Sequence, residues 1–271
     1  MQMQKQNGFA EVNGTCLYYE VAGSGHPMVL IHGMGGNTRT WDDQFEPFGE
    51  HYQVIRYDVR GFGKSALPTS ESYAHTDDLK ALLEHLGISH AYVLGLSMGG
   101  EIAINFALTY PETTRALVPV DSALGGFQWS QEWTEQSDEL ARVLGSMYKE
   151  GRLQAATEFW LNSPHLKPSL EKPGLKFRLV QNDDYSGWHS FNEDPVRNPD
   201  PPAAQRLDKI NVPTLIIVGE RDLPDFHAIA DTLQQEIPNA RKVVLPRVGH
   251  MSSMEDPDKF NEVVLSFLAD V

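Results

Sequence analysis

The chain has 271 residues, 41% hydrophobic and 22% charged, enough for one large domain with a substantial core. Its 37 acidic and 22 basic residues give a formal net charge of −15, which disfavours nucleic acid and anionic membrane surfaces and favours small neutral partners. Cys16 is the single cysteine, the opening MQMQKQNGFAEVNG has no signal-like apolar region, and no apolar run reaches membrane-span length, so a cytoplasmic protein is expected.

In chain order, GFAEVNG and TCLYYEVAG predict an antiparallel hairpin turning at Asn13-Gly14. Short apolar runs then recur at MVLIHG (28–33), YQVIRYD (52–58), AYVLGLS (91–97), RALVPVD (115–121), TLIIVGE (214–220) and KVVLPRVG (242–249). Each is bounded by Gly, Pro or Asp, the pattern of buried parallel strands. Helical patterns separate them. TDDLKALLEHLG (76–87) has Thr76 as expected N-cap and a glycine stop, and GEIAINFALTYP (100–111) stops at a proline. Asp256 and Pro257 predict N-cap and first position of a last helix. The alternation predicts an α/β fold with a mostly parallel central sheet and helices on both faces.

That rhythm fails between 122 and 205, where short helices separated by Pro and Gly are expected and no strand is. Four of the five tryptophans lie there: Trp129, Trp133, Trp160 and Trp188. The predicted organisation is a core domain of residues 1–121 and 206–271 with a helical cap, 122–205, inserted into it.

The chemistry centres on Gly95-Leu96-Ser97-Met98-Gly99, a G-x-S-x-G pattern after a strand and before a helix. A serine at so sharp a turn has a strained backbone, and side chains two places either side of it would collide, so glycine is required there. The turn projects the hydroxyl above the sheet at a helix N-terminus, where developing negative charge is favoured. Serine needs a base oriented by a third group. His250 follows the strand KVVLPRVG, and Asp222 lies in GERD just past TLIIVGE, so both fall at strand ends in the required order Ser, acid, His. Asp121 is the alternative acid, with Glu220 and Asp225 as near neighbours of Asp222.

Oxyanion donors are expected from the backbone N–H of Met98, next to the serine, and of Met34 in His32-Gly33-Met34-Gly35-Gly36. Gly33 and the other glycines of that loop let backbone approach substrate closely. His32 is expected to order the loop, and Arg60 in YDVRGFGKS to organise a buried turn rather than anchor substrate. Phe127, Trp129, Trp133, Phe159, Trp160 and Trp188 are candidates for an apolar substrate pocket. No H-E-x-x-H, no Walker loop and no dinucleotide-type G-x-G-x-x-G is present, so neither a hydrolytic metal site nor a cofactor is expected.

HGMGG, YDVRGFGKS, GLSMGG, GERD and VGH occur in the order found in the α/β-hydrolase fold superfamily, which the chain resembles over nearly its whole length. GLSMGG and the small cap look most like the esterase and lactonase group that includes 3-oxoadipate enol-lactonases and metal-independent N-acyl homoserine lactonases. The resemblance implies an acyl-enzyme route through Ser97, His250 and Asp222, with Met34 and Met98 as oxyanion donors. Serine at 97 sets the chain apart from the family's haloalkane dehalogenases and epoxide hydrolases, whose nucleophile is aspartate. An enol-lactonase must hold a substrate carboxylate, for which Arg142, Arg152 and Arg178 are available, whereas the net charge and the tryptophans lean toward a neutral ester or lactone. The competing readings are a carbon–carbon bond hydrolase of meta-cleavage type and a non-catalytic ligand receptor on the same scaffold.

Overall fold

A computed structural model describes residues 4–181, 186–190 and 192–271. Strands β1 (Lys5–Val12) and β2 (Thr15–Ala22) form the antiparallel hairpin, with Asn13 at φ 46° and Gly14 at φ 70° supplying the two left-handed turn positions. The alternating part follows as β3 (Pro27–Ile31), α1 (Asp42–Gly49), β4 (Gln53–Tyr57), α2 (His75–His85), β5 (Ala91–Leu96), α3 (Met98–Thr109) and β6 (Thr114–Val120). After a helical stretch containing α4 (Gln131–Lys149), α5 (Leu153–Leu161) and α6 (Leu175–Gln181), the sheet resumes. It is completed by β7 (Thr214–Gly219), α7 (Pro224–Glu236), β8 (Ala240–Leu245), α8 (Ser252–Glu255) and α9 (Pro257–Leu268). The eight strands lie in the order β1-β2-β4-β3-β5-β6-β7-β8, antiparallel at β1/β2 and β2/β4 and parallel elsewhere.

Period-two alternation sends successive strand residues to opposite faces. Val29 and Ile31 join the core under α2, α3 and α7, with Leu82, Phe106 and Ile229. Met28 and Leu30 join the core under α1 and α9, with Phe48 and Phe260. Both faces of the sheet are therefore covered, as the near-continuous apolar strands require. Because β3 and β5 to β8 are parallel, the residues that follow them converge at one edge of the sheet, the usual place for a site in an α/β fold.

Two local expectations are corrected. Thr76 does not cap α2: the helix is entered two residues earlier, with Ala74 as extended N-cap (φ −132°, ψ 136°) whose carbonyl accepts from the N–H groups of Asp77 and Asp78. Thr76 is buried inside the first turn instead, and Asp77 and Asp78 complement the helix dipole there. The inserted stretch is also not made only of short helices, since α4 runs for 19 residues. Ser130 caps it, its Oγ accepting from Trp133 N–H at 3.1 Å. Asp225, at the start of α7, accepts from both N–H and Oγ of Ser130 at 2.7 and 2.8 Å, fastening α4 to the sheet domain. The final helix does start at Pro257, and Asp256 accepts from Lys259 N–H. No described helix is long and apolar enough to cross a membrane.

Candidate active site

Ser97 links β5 to α3 with φ 55° and ψ −114°, a conformation that costs a residue with a side chain about 1–3 kcal/mol and persists only where packing enforces it. The enforcement is visible in the flanking glycines. A Cβ on Gly95 would lie 2.0 Å from the carbonyl oxygen of Gly99, and one on Gly99 would lie 2.3 Å from that of Ile31 at the end of β3. Neither position admits alanine without moving backbone.

The serine Oγ is 3.0 Å from Nε2 of His250, and His250 Nδ1 is 2.9 Å from Oδ2 of Asp222. A carboxylate only accepts, so Nδ1 donates to Asp222 and Nε2 is left to accept from the serine hydroxyl. Asp222 is itself held by Leu223 N–H, donated to Oδ1 at 2.8 Å. Burial pulls the His250 imidazole down, but Asp222 beside it, aided by Asp121 and Glu255, outweighs burial and the net shift is upward from 6.5.

Asp121 occupies a different position. It accepts from Gly219 N–H at 2.7 Å and from the Ser252 hydroxyl at 2.5 Å, so it joins the ends of β6 and β7 to the turn after His250. Burial, reinforced by Asp222 nearby, raises its pKa well above the usual carboxylate range. Of the neighbours, Glu220 accepts from Arg247 N–H, and Asp225 caps α4 as described.

Glu255 is a residue that sequence reasoning missed. Buried under the histidine loop, its carboxylate accepts from Gly249 N–H at 2.8 Å and Met251 N–H at 3.2 Å, bracketing His250. It also accepts from the Ser169 hydroxyl at 2.6 Å, a second tie to the inserted stretch. No sequence motif marks it; the only available signal was its place in the short helix following VGH.

His32 is fully buried between Gly33 O and Val59 N–H, at 2.8 and 3.0 Å. Val59 donates to Nε2, so Nδ1 carries the proton, and burial lowers the pKa. It orders the loop carrying Met34. Arg60 is closed off by Asp78, with Nε and one terminal nitrogen donating at 2.8 and 2.6 Å, and by the Asn13 carbonyl. Gly33 packs against the elbow, where a Cβ would lie 3.3 Å from that of Ser97. Met98 opens α3, so its N–H is among those without a partner inside the helix.

A cavity of about 460 Å³ opens over Ser97 and His250. Trp129, Trp133, Trp160, Leu140 and Leu144 from the inserted stretch form much of its wall, and Gly33, Met34 and Met98 its floor. Trp188 is the exception among the candidate tryptophans. It does not line the cavity but stands edge-on to His189, which does. Phe127 and Phe159 are likewise absent from the wall; Phe127 packs on Trp129, and Phe159 is 38% exposed. His165, unremarked in the sequence, lies edge-on to His250, and burial, aided by His250, drives its pKa to about 3, so it is a neutral wall.

No lysine or arginine is among the described lining residues. Arg142 pairs with Glu139, Arg152 with Glu150 and Arg178 with Asp43, none of them in the cavity wall. Among the described residues no group of three His, Cys, Asp or Glu side chains is placed to hold a metal.

A model of the α/β hydrolase fold matches residues 26–257. The chain belongs to the α/β-hydrolase fold family. A 2-hydroxy-6-oxononadienedioate/2-hydroxy-6-oxononatrienedioate hydrolase of Paraburkholderia phymatum is 30% identical over an alignment of 267 positions, with 93% of this chain and 90% of that one covered. Among solved structures, the enol-lactonase from Burkholderia xenovorans LB400 is 26% identical with a TM-score of 0.75, covering 97% of this chain and 100% of its own. Est816, described as an N-acyl homoserine lactone degrading enzyme, is also 26% identical, with a TM-score of 0.73 and coverage of 96% and 100%.

Proposed function

We propose that this hydrolase cleaves small neutral carboxylic esters or lactones, N-acyl homoserine lactones among them, through an acyl-enzyme on Ser97. The observation that carries the reading is the union of the Ser97–His250–Asp222 chain of hydrogen bonds with a largely aromatic and aliphatic cavity whose described lining has no lysine or arginine. Ser97 Oγ attacks the carbonyl carbon while His250 Nε2 takes its proton; Asp222 holds the imidazole in the required tautomer and stabilises the imidazolium. The oxyanion is met by the N–H groups of Met98 and Met34. His250 returns the proton to the leaving alcohol oxygen, and water, activated in the same way, releases the acid and regenerates the serine. Residues 122–205 act as the cap, with Trp129, Trp133 and Trp160 contacting the apolar part of the substrate. Cys16 is the single cysteine, so no intrachain disulfide forms, which supports action in a reducing compartment such as the cytoplasm.

A carbon–carbon bond hydrolase is the second reading, favoured by the identity to the Paraburkholderia enzyme. A dioate of the kind in that enzyme's name carries two carboxylates, for which the described cavity offers no arginine or lysine. Proton release in a pH-stat separates the two readings. A short-chain neutral ester, an N-acyl homoserine lactone, an enol-lactone bearing a carboxylate and a dienoate vinylogous diketone are compared, with Ser97→Ala as control. Turnover of the neutral esters or lactones, lost in the mutant, is expected. Turnover of the diketone alone would give the second reading precedence, and no turnover of any would favour a receptor.

A further inference from the structure

The cavity over Ser97 has a smaller neighbour with more polar groups in its lining. A chamber of about 190 Å³ shares Met34, Met98, Glu101 and His189 with it and extends toward α2. Where the larger cavity is walled by tryptophan and leucine, the smaller one is rich in hydrogen-bond acceptors. Glu101 and Asn105 lie four residues apart on α3 and so project from one face of the helix that begins beside Ser97. Asn105 is only 7% exposed, and its Oδ1 is buried without a hydrogen-bond partner. The Nδ1 of His75, another lining residue, is buried and unpartnered too. Buried polar atoms without a protein partner are uncommon in folded proteins.

The remaining charged groups are already engaged. Asp194 accepts from the Tyr73 hydroxyl at 2.9 Å and stands 3.4 Å from His189 Nε2, while Arg197, largely exposed, reaches Asp77 at 3.2 Å. Glu101 is positioned by what faces it: a Cβ on Gly125 would lie 2.9 Å from its Oε1, so the glycine leaves the carboxyl its place. Burial holds that carboxyl above its ordinary pKa. With carboxylates at two points of the chamber wall, an anionic group is disfavoured and a donor is wanted.

We infer that this chamber is a second substrate subsite that takes a hydroxyl or amide N–H, donated to Asn105 Oδ1 and the Glu101 carboxylate. The substrate is then two-ended, with an apolar part against Trp129, Trp133 and Trp160 and a donor-bearing part beyond Met34 and Met98. The inference rests on the proposed ester chemistry only in placing the substrate carbonyl at Ser97.

The test uses two matched ester pairs that differ by hydroxyl for methyl: 4-hydroxybutyl against pentyl hexanoate, and hexyl 6-hydroxyhexanoate against hexyl heptanoate. Binding to the Ser97→Ala protein is followed through tryptophan fluorescence, and turnover by the unaltered protein is measured separately. A preference of about tenfold or more for the hydroxyl member of at least one pair is expected, since a site with unpaired acceptors penalises the isostere lacking the donor. Asn105→Leu in the Ser97→Ala background should reduce the preference to below about twofold. Glu101→Leu serves the same purpose if that variant does not fold. Equal binding within both pairs, no detectable binding of any member, or a preference that survives both substitutions overturns the subsite. Preference in binding with no turnover would keep the subsite and sink the ester-hydrolase reading; turnover without preference would do the reverse.

Discussion

The ends of the strands and the inserted stretch above them meet around one cavity but are held in different ways. Ser97, Asp222 and His250 follow strands packed between two cores, and the elbow is locked by backbone approaches that leave no room for a Cβ. Helix α4, by contrast, buries only Leu144, Gly145 and Tyr148 of its 19 residues. The inserted stretch is fastened to the sheet domain partly through side chains: Ser130 to Asp225, Ser169 to Glu255, and Arg178 to Asp43. Reactive groups thus sit on the rigid half, where a displacement of an ångström is costly to rate. The tryptophan and leucine walls sit on the other half, which still touches the histidine loop through Ser169 and His165. Substitutions at strand ends should therefore act on kcat, and substitutions in the inserted stretch on KM.

The sharpest break comes from Ser97→Ala or His250→Ala, each expected to lower kcat by at least about 10³-fold with the fold intact by circular dichroism. The two aspartates come next. Asp222→Asn should cost about 10³- to 10⁴-fold in kcat, because an amide no longer enforces the histidine tautomer. Asp121→Asn should cost far less in kcat and register mainly as lower stability in urea unfolding, since its partners are Gly219 and Ser252 rather than His250. The reverse ranking would make Asp121 the acid.

The same pair sharpens the pH dependence. In the proposed role of base His250 must be neutral, so kcat/KM should rise with pH, with a midpoint above 6.5 because Asp222 outweighs burial. In Asp222→Asn the residual activity should rise at lower pH, the carboxylate that stabilises the imidazolium having gone. An unmoved midpoint would count against that coupling.

Smaller effects probe packing and the cavity. Gly99→Ala places a Cβ 2.3 Å from the Ile31 carbonyl and should destabilise the fold by about 3 kcal/mol in denaturant titration. Trp133→Ala should raise KM for a neutral ester by about tenfold with a lesser change in kcat, by loss of apolar contact. Trp188→Ala should change KM by less than about twofold, since its ring is outside the cavity wall.

These contrasts follow what could be seen in the chain. Five of the six parallel-strand segments were legible because a strand buried on both faces must be apolar and must end at a breaker, the edge strand β8 by its branched residues and following glycine, and the elbow because its glycines have a steric cause. The hairpin turn at Asn13-Gly14 was legible for the same kind of reason, since both residues take positive φ. What depends on distant partners was not. Thr76 obeys the local preference for an N-cap, yet it is buried in the first turn of a helix whose N-cap, Ala74, lies two residues earlier. Trp188 has the composition of a pocket residue, but its neighbours His189 and Ser190 face the cavity instead. Glu255 and Glu101 look like ordinary surface acids in sequence, and only the fold turns one under the histidine loop and the other between the two cavities.

The central claim is that Ser97 is an activated nucleophile in an apolar cavity, and an alkyl fluorophosphonate tests it most directly. Peptide mass analysis should find one label per chain, on the peptide containing Ser97, formed in step with loss of ester turnover and absent in His250→Ala. A protein left unlabelled by the probe, or labelled elsewhere while turnover persists, would contradict the account.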